Sequence, residues 1–169
     1  RSEDPLPENP VGMAALVAAT RRAASVDRER EPVAPLPALA SAIADRTYAV
    51  RANVAGIKSL TLSFPTTDEA RLRFTTDGVA TYDRDFEWAA GLAGIERCTR
   101  GMLEVLECGT GQWRDGRTFE MEVDMLGLLG RFRLSFEFAG GGDRFTVTVE
   151  DLDWWEPNPP FFLIAARQD

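Results

Sequence analysis

At 169 residues the chain can bury one sizeable core but not a second full domain. Its 44% hydrophobic and 27% charged residues exclude wholesale disorder. A net charge of −8 repels phosphate backbones and anionic lipid, so neither nucleic acid nor a membrane is an expected partner.

The chain opens at Arg1 rather than Met, which leads us to expect a piece of a longer protein. No signal peptide is visible, so localisation is left open with the cytoplasm favoured. The segment 1–10 is acidic and rich in proline, as a linker is. A helix is expected over Val11 to Ala24: Asn9 can cap it, Pro10 suits its first turn, and Met13, Leu16, Val17 and Thr20 form one apolar stripe. Ser25 to Pro37 mixes charge with Pro32, Pro35 and Pro37 and reads as a second linker, which puts the domain boundary after residue 37. Ala38 to Ala44 fits a short helical turn.

From Arg46 onward the hydrophobic period becomes two, the mark of half-buried strands. Leu60, Leu62 and Phe64 alternate with polar residues, as do Ala70, Leu72 and Phe74 after an expected loop at Pro65 to Glu69. Phe119, Met121 and Val123 can face Phe136, Leu134 and Phe132 across a hairpin whose loop is Leu126 to Leu129. That register also opposes Asp124 to Arg131 and Glu122 to Arg133, so both faces support it. Gly140 to Gly142 then turns the chain into Phe145, Val147 and Val149. Further strands are expected at Tyr48 to Ala52, Tyr82 to Trp88, Leu103 to Cys108 and Phe161 to Ala166. The fold class is mainly β: an antiparallel, lipocalin-like up-and-down barrel or curved sandwich of about eight or nine strands behind a short N-terminal helix.

The chain contains no histidine, which removes the usual general base and the commonest zinc ligand. Cys98 and Cys108 lack multi-ligand metal spacing; buried free thiols are expected, with a hairpin disulfide as the alternative. The serines Ser59, Ser63 and Ser135 have no lysine at activating spacing, because Lys58 is the chain's one lysine. No catalytic residue, cofactor or metal site is therefore expected. Asp83, Asp85 and Glu87 alternate with Tyr82, Arg84, Phe86 and Trp88, so one set must point inward. Burying aromatics stabilises by about 1.5–3 kcal/mol each, whereas unpaired buried carboxylates cost several, so a bulge or long turn after Asp77-Gly78 should turn the aromatics in with Arg84. Tyr82, Arg84 and Trp88 become candidate ligand-lining residues. Trp154, beside Trp155 in a proline-rich loop, is a fourth candidate.

The order Pro5-Leu-Pro-Glu-Asn-Pro10, an Ala-rich helix, Pro35-Leu-Pro37, Thr47-Tyr48 and Gly56 to Phe64 resembles the region after the catalytic domain in bacterial serine hydrolases of the β-lactamase and penicillin-binding-protein superfamily. Gly111-Gln-Trp113, Thr118-Phe119, Phe132 to Phe138 and Asp143 to Asp151 are similar to the same C-terminal β domain. The resemblance implies a non-catalytic accessory domain whose partner is an upstream hydrolase domain of the same polypeptide. The family's Ser-x-x-Lys motif matches no position here, so no catalytic residue carries over. The alternative is a lipocalin-like barrel that binds a small apolar or anionic molecule.

Overall fold

The computed structural model describes residues 9–15, 17, 34–76, 85–92, 94–100, 105–126, 130–152 and 159–168. The chain forms two compact units, Arg1–Arg30 and Glu31–Asp169. In the first, residues 10–15 and 17 are helical, and Asn9 Oδ1 accepts a hydrogen bond from Gly12 N at 2.8 Å, the capping expected of Asn9. Val11, Met13 and Val17 are exposed. The remainder of the expected helix lies outside the described residues.

The second unit begins with α1 (Ala38–Ile43). It continues with β1 (Arg46–Val50), β2 (Ile57–Thr66), β3 (Glu69–Thr76), β4 (Asp85–Leu92) and β5 (Arg97–Arg100). Then follow β6 (Leu106–Trp113), β7 (Thr118–Leu126), β8 (Arg131–Ala139), β9 (Arg144–Asp151) and β10 (Phe161–Arg167). Neighbours in sequence are mostly neighbours in space, and β1 pairs antiparallel with β10. The ring shuts where β4 meets β6 in parallel, Gly91 opposite Thr110 and Leu92 opposite Gly111. Nine strands thus make a closed barrel, and β5 pairs only with the outer stretch of β6. Closure leaves the sandwich alternative without support, because both inner faces belong to one continuous wall.

The β7–β8 register is the one expected from charge and apolar pairing: Asp124 opposite Arg131, Glu122 opposite Arg133, and Phe119, Met121 and Val123 opposite Phe136, Leu134 and Phe132. Leu60 likewise meets Phe74 and Leu62 meets Leu72. The β3–β4 connection is long, and it sets Phe74 opposite Phe86 and Leu72 opposite Trp88. The aromatics of β4 therefore turn inward, while Glu87 stays outside, where it takes hydrogen bonds from Arg71 and Arg73.

Several expectations need correction. Pro65 is not in a loop: β2 runs on to Thr66 through a register shift, the setting in which a strand tolerates a residue without an N–H. The strand expected at Tyr82 to Trp88 runs on to Leu92, and the one expected at Leu103 to Cys108 runs on to Trp113, while residues 82–84 and 103–104 lie outside the described ones. A further strand, β5, stands where none was expected, too short for an alternation signal. Cys98 and Cys108 are not free thiols. They face one another across the β5–β6 pair and form a disulfide, so the alternative pairing is the one realised. A bridge closing a loop of this length stabilises by roughly 3 kcal/mol in the chain-entropy account.

Inside, the barrel is unevenly filled. Towards the β6–β7 and β8–β9 turns, Phe119, Phe136, Phe138 and Phe145 pack with Tyr48, Phe64 and Trp113 in a continuous set of ring contacts. The chain then caps this end. Ile43 of α1 is fully buried and lies so close to Gly142 that a Cβ there would sit 2.5 Å from its Cγ2, and Gly142 holds φ +97°. The Tyr48 hydroxyl donates to the Gly142 carbonyl at 2.6 Å, and burial pushes its phenol above the ordinary value. One end of the barrel is thereby sealed.

Outside, charged ladders cross the strands. Glu122 accepts from Arg133 and from Arg131, and Arg133 reaches on towards Glu150. Hydrogen bonds from Arg133 and then Arg131 hold the Glu122 carboxyl below its ordinary value of 4.5. A depressed carboxylate stabilises the fold above its unfolded value and loses that contribution as pH falls through the lower folded one. Denaturation midpoints should therefore fall between about pH 5 and pH 2, and Glu122→Gln should make that fall shallower. An unchanged slope in the variant would remove Glu122 from the account.

Candidate functional site

The described residues leave the opposite end of the barrel unfilled. Its inward positions are Ile57 at the start of β2, Phe74 and Thr76 at the end of β3, and Trp88 in β4. Met125 near the end of β7, Phe132 at the start of β8, Val149 near the end of β9 and Phe161 at the start of β10 complete the rim. Together with deeper Leu60, Leu72, Leu134, Val147 and Leu163 they enclose a cavity of about 280 Å³. The same end carries the β1–β2, β3–β4, β7–β8 and β9–β10 connections, as an up-and-down meander requires.

On β8 and β9 the cavity lies where the inward side chains become smaller than the rings of the sealed end. On β8 the inward residues run Phe132, Leu134, Phe136 and Phe138; on β9 they run Val149, Val147 and Phe145. The phenyl rings of Phe136, Phe138 and Phe145 meet at the sealed end, while Leu134, Val147 and Val149 leave room towards the other. Trp88 is held from both sides. Phe74 meets it edge-on at 4.8 Å, and the ring of Phe132 lies 6.5 Å away and nearly parallel.

Among the described lining residues the polar side-chain groups are the Thr76 hydroxyl and the indole N–H of Trp88. A wall of this kind recognises apolar surface and excludes unpaired charge, because a buried polar group without a partner costs roughly 2–7 kcal/mol. The loop beside it is well braced: Asn53 donates to the carbonyls of Arg51 and Ile57 and accepts from the amides of Ala55 and Ile57. Val54 sits exposed at its tip.

Of the four residues proposed from sequence, Trp88 lies in the cavity wall. Tyr82, Arg84 and Trp154 lie outside the described residues. Sequence reasoning missed the aliphatic majority of the wall, since Leu60, Leu72, Val147 and Leu163 read identically to solid core. It also missed Glu107. This carboxylate is 4% exposed and faces inward opposite Met125, while its neighbours Leu106 and Leu126 are turned outward. The signal was an inverted alternation around a charge, a local departure of the sort that sites carry.

Glu96 lies with Cys98 and Cys108 in a cluster of ligand atoms, but the two sulfurs are joined to each other and cannot serve a metal as thiolates. The chain matches no family model and no curated protein.

Proposed function

We propose that the barrel is a lipocalin-like binding module for a small apolar molecule. The observation that carries this reading is the blind cavity of about 280 Å³, sealed at one end by rings and α1, whose described lining is apolar but for the Thr76 hydroxyl and the Trp88 indole N–H. The described lining offers no cation, so an apolar ligand is favoured over an anionic one. Titration with N-phenyl-1-naphthylamine, a neutral apolar fluorophore, is the direct test. Saturable binding of one molecule per chain with quenching of tryptophan emission is expected. Leu134→Trp, which fills the cavity from its wall, should abolish that binding while the protein melts cooperatively. Binding that survives in this variant would place the fluorophore elsewhere and end the reading.

A second reading, an accessory domain of a serine hydrolase, draws on Met13 and Val17, one turn apart and exposed on the helix of the first unit. Reading the gene upstream of Arg1 tests it. A continuous frame carrying a Ser-x-x-Lys catalytic domain supports the docking role, and a gene without one removes it.

A further inference from the structure

Resting on the apolar-binding reading, we propose that the ligand is a single-chain amphiphile of on the order of ten carbon atoms, held tail-inward with its polar group left at the mouth. The size follows from volume. An apolar cavity of about 150 Å³ accommodates the six carbons of benzene, so 280 Å³ holds roughly ten to twelve. The orientation follows from the distribution of polar groups. The deep positions Leu60, Leu72, Val147 and Leu163 offer no hydrogen bond, and the floor beyond them is the aromatic plug headed by Phe119 and Phe136. Thr76, which carries the lining hydroxyl, ends β3 at the mouth. A headgroup driven to the floor would lose its water without gaining a partner, whereas at the mouth it keeps it.

Depth agrees with volume. Thr76, Phe74 and Leu72 alternate inward along β3 and line the space over four residue steps, about 13 Å of strand. The plug then ends the slot abruptly. With no charged side chain among the described lining residues, the site should therefore measure chain length and ignore headgroup chemistry, a combination that a shallow groove or a charged pocket would not produce.

The test is displacement of N-phenyl-1-naphthylamine by three series of about six to sixteen carbons, namely n-alkanols, n-alkanoates and n-alkyltrimethylammonium ions. All are kept below their critical micelle concentrations and at physiological salt. Affinity should rise about fourfold per methylene, equivalent to ~0.8 kcal/mol. It should then level off at about ten to twelve carbons, with the three series within about fivefold of each other at equal length. Val147→Phe, which thickens the wall near the floor, should move the levelling point down by about two carbons. Should that variant fail to fold, Val149→Phe, nearer the mouth, serves in its place. A preference of tenfold or more for one headgroup, a rise without a break across the whole series, or a bound fluorophore that no chain displaces would each overturn the proposal while leaving the cavity as an apolar site. Failure of the fluorophore itself to bind would overturn the underlying reading instead.

Discussion

Gly109→Ala should destabilise the barrel by about 3–5 kcal/mol, or prevent it from closing. A Cβ at residue 109 would stand 2.4 Å from the carbonyl oxygen of Ala89, which is backbone and cannot rotate aside. Gly91 is equally constrained, its added Cβ falling 2.2 Å from the Ile95 carbonyl oxygen. Gly109 sits where β6 passes β4, so the seam shuts because two backbones approach there without a side chain between them, while Gly91 lets the chain turn back closely after β4. Gly116, in the β6–β7 turn, has open space around its added Cβ and is the control. Gly116→Ala should change stability by less than about 0.5 kcal/mol. Chemical denaturation of the three proteins decides the matter, and equal midpoints for Gly109→Ala and Gly116→Ala would show that the seam does not hold the barrel shut.

Phe136→Ala and Phe132→Ala, two truncations on the same face of one strand, should part company. Phe136 is fully buried and touches the rings of Phe119, Phe138 and Phe145, so its loss leaves a void in the plug and should cost about 3–5 kcal/mol. Phe132 is half-buried beside the cavity and has a ring contact with Trp88, so its truncation should cost about 2 kcal/mol, less than that of Phe136. Binding should show the reverse order, with Phe132→Ala weakening uptake of the fluorophore and Phe136→Ala leaving the mouth unchanged in any molecules that remain folded. Thermal unfolding with and without the fluorophore reads both quantities. Equal destabilisation by the two substitutions would mean that the barrel is packed evenly from end to end.

The wall of the barrel was legible wherever two independent patterns agreed. In β7 and β8 the phenyl rings fix one face and the Asp124, Glu122, Arg131 and Arg133 charges fix the other, so only one register satisfies both. In β4 the cost of burying Glu87 against that of exposing Phe86 and Trp88 chose the inward face without knowledge of the turn. Closure was not legible, because it depends on Gly109 and Gly111, whose contribution is the absence of a side chain. The disulfide was hidden for a related reason: β5 carries only four residues, too few to show that Cys98 lies opposite Cys108. As for the cavity, a single sequence reports which residues face inward but not whether they meet. Val147 and Val149 look like core from their alternation. The step from phenyl rings to Leu134, Val147 and Val149, read across β8 and β9 together, marks where the filling stops.

Because β1 pairs with β10, the first strand of the barrel waits for the last. A nascent chain that has emerged only as far as Asp151 has both β1 and β9 with unpaired edges, each a template for another chain. Hairpins such as β7–β8 can form early, from neighbours in sequence, but the ring cannot be sealed until Phe161 to Arg167 has left the ribosome. Premature stops or proteolytic trimming within that segment would therefore be felt as intermolecular pairing and precipitation, well before any effect on what the cavity holds.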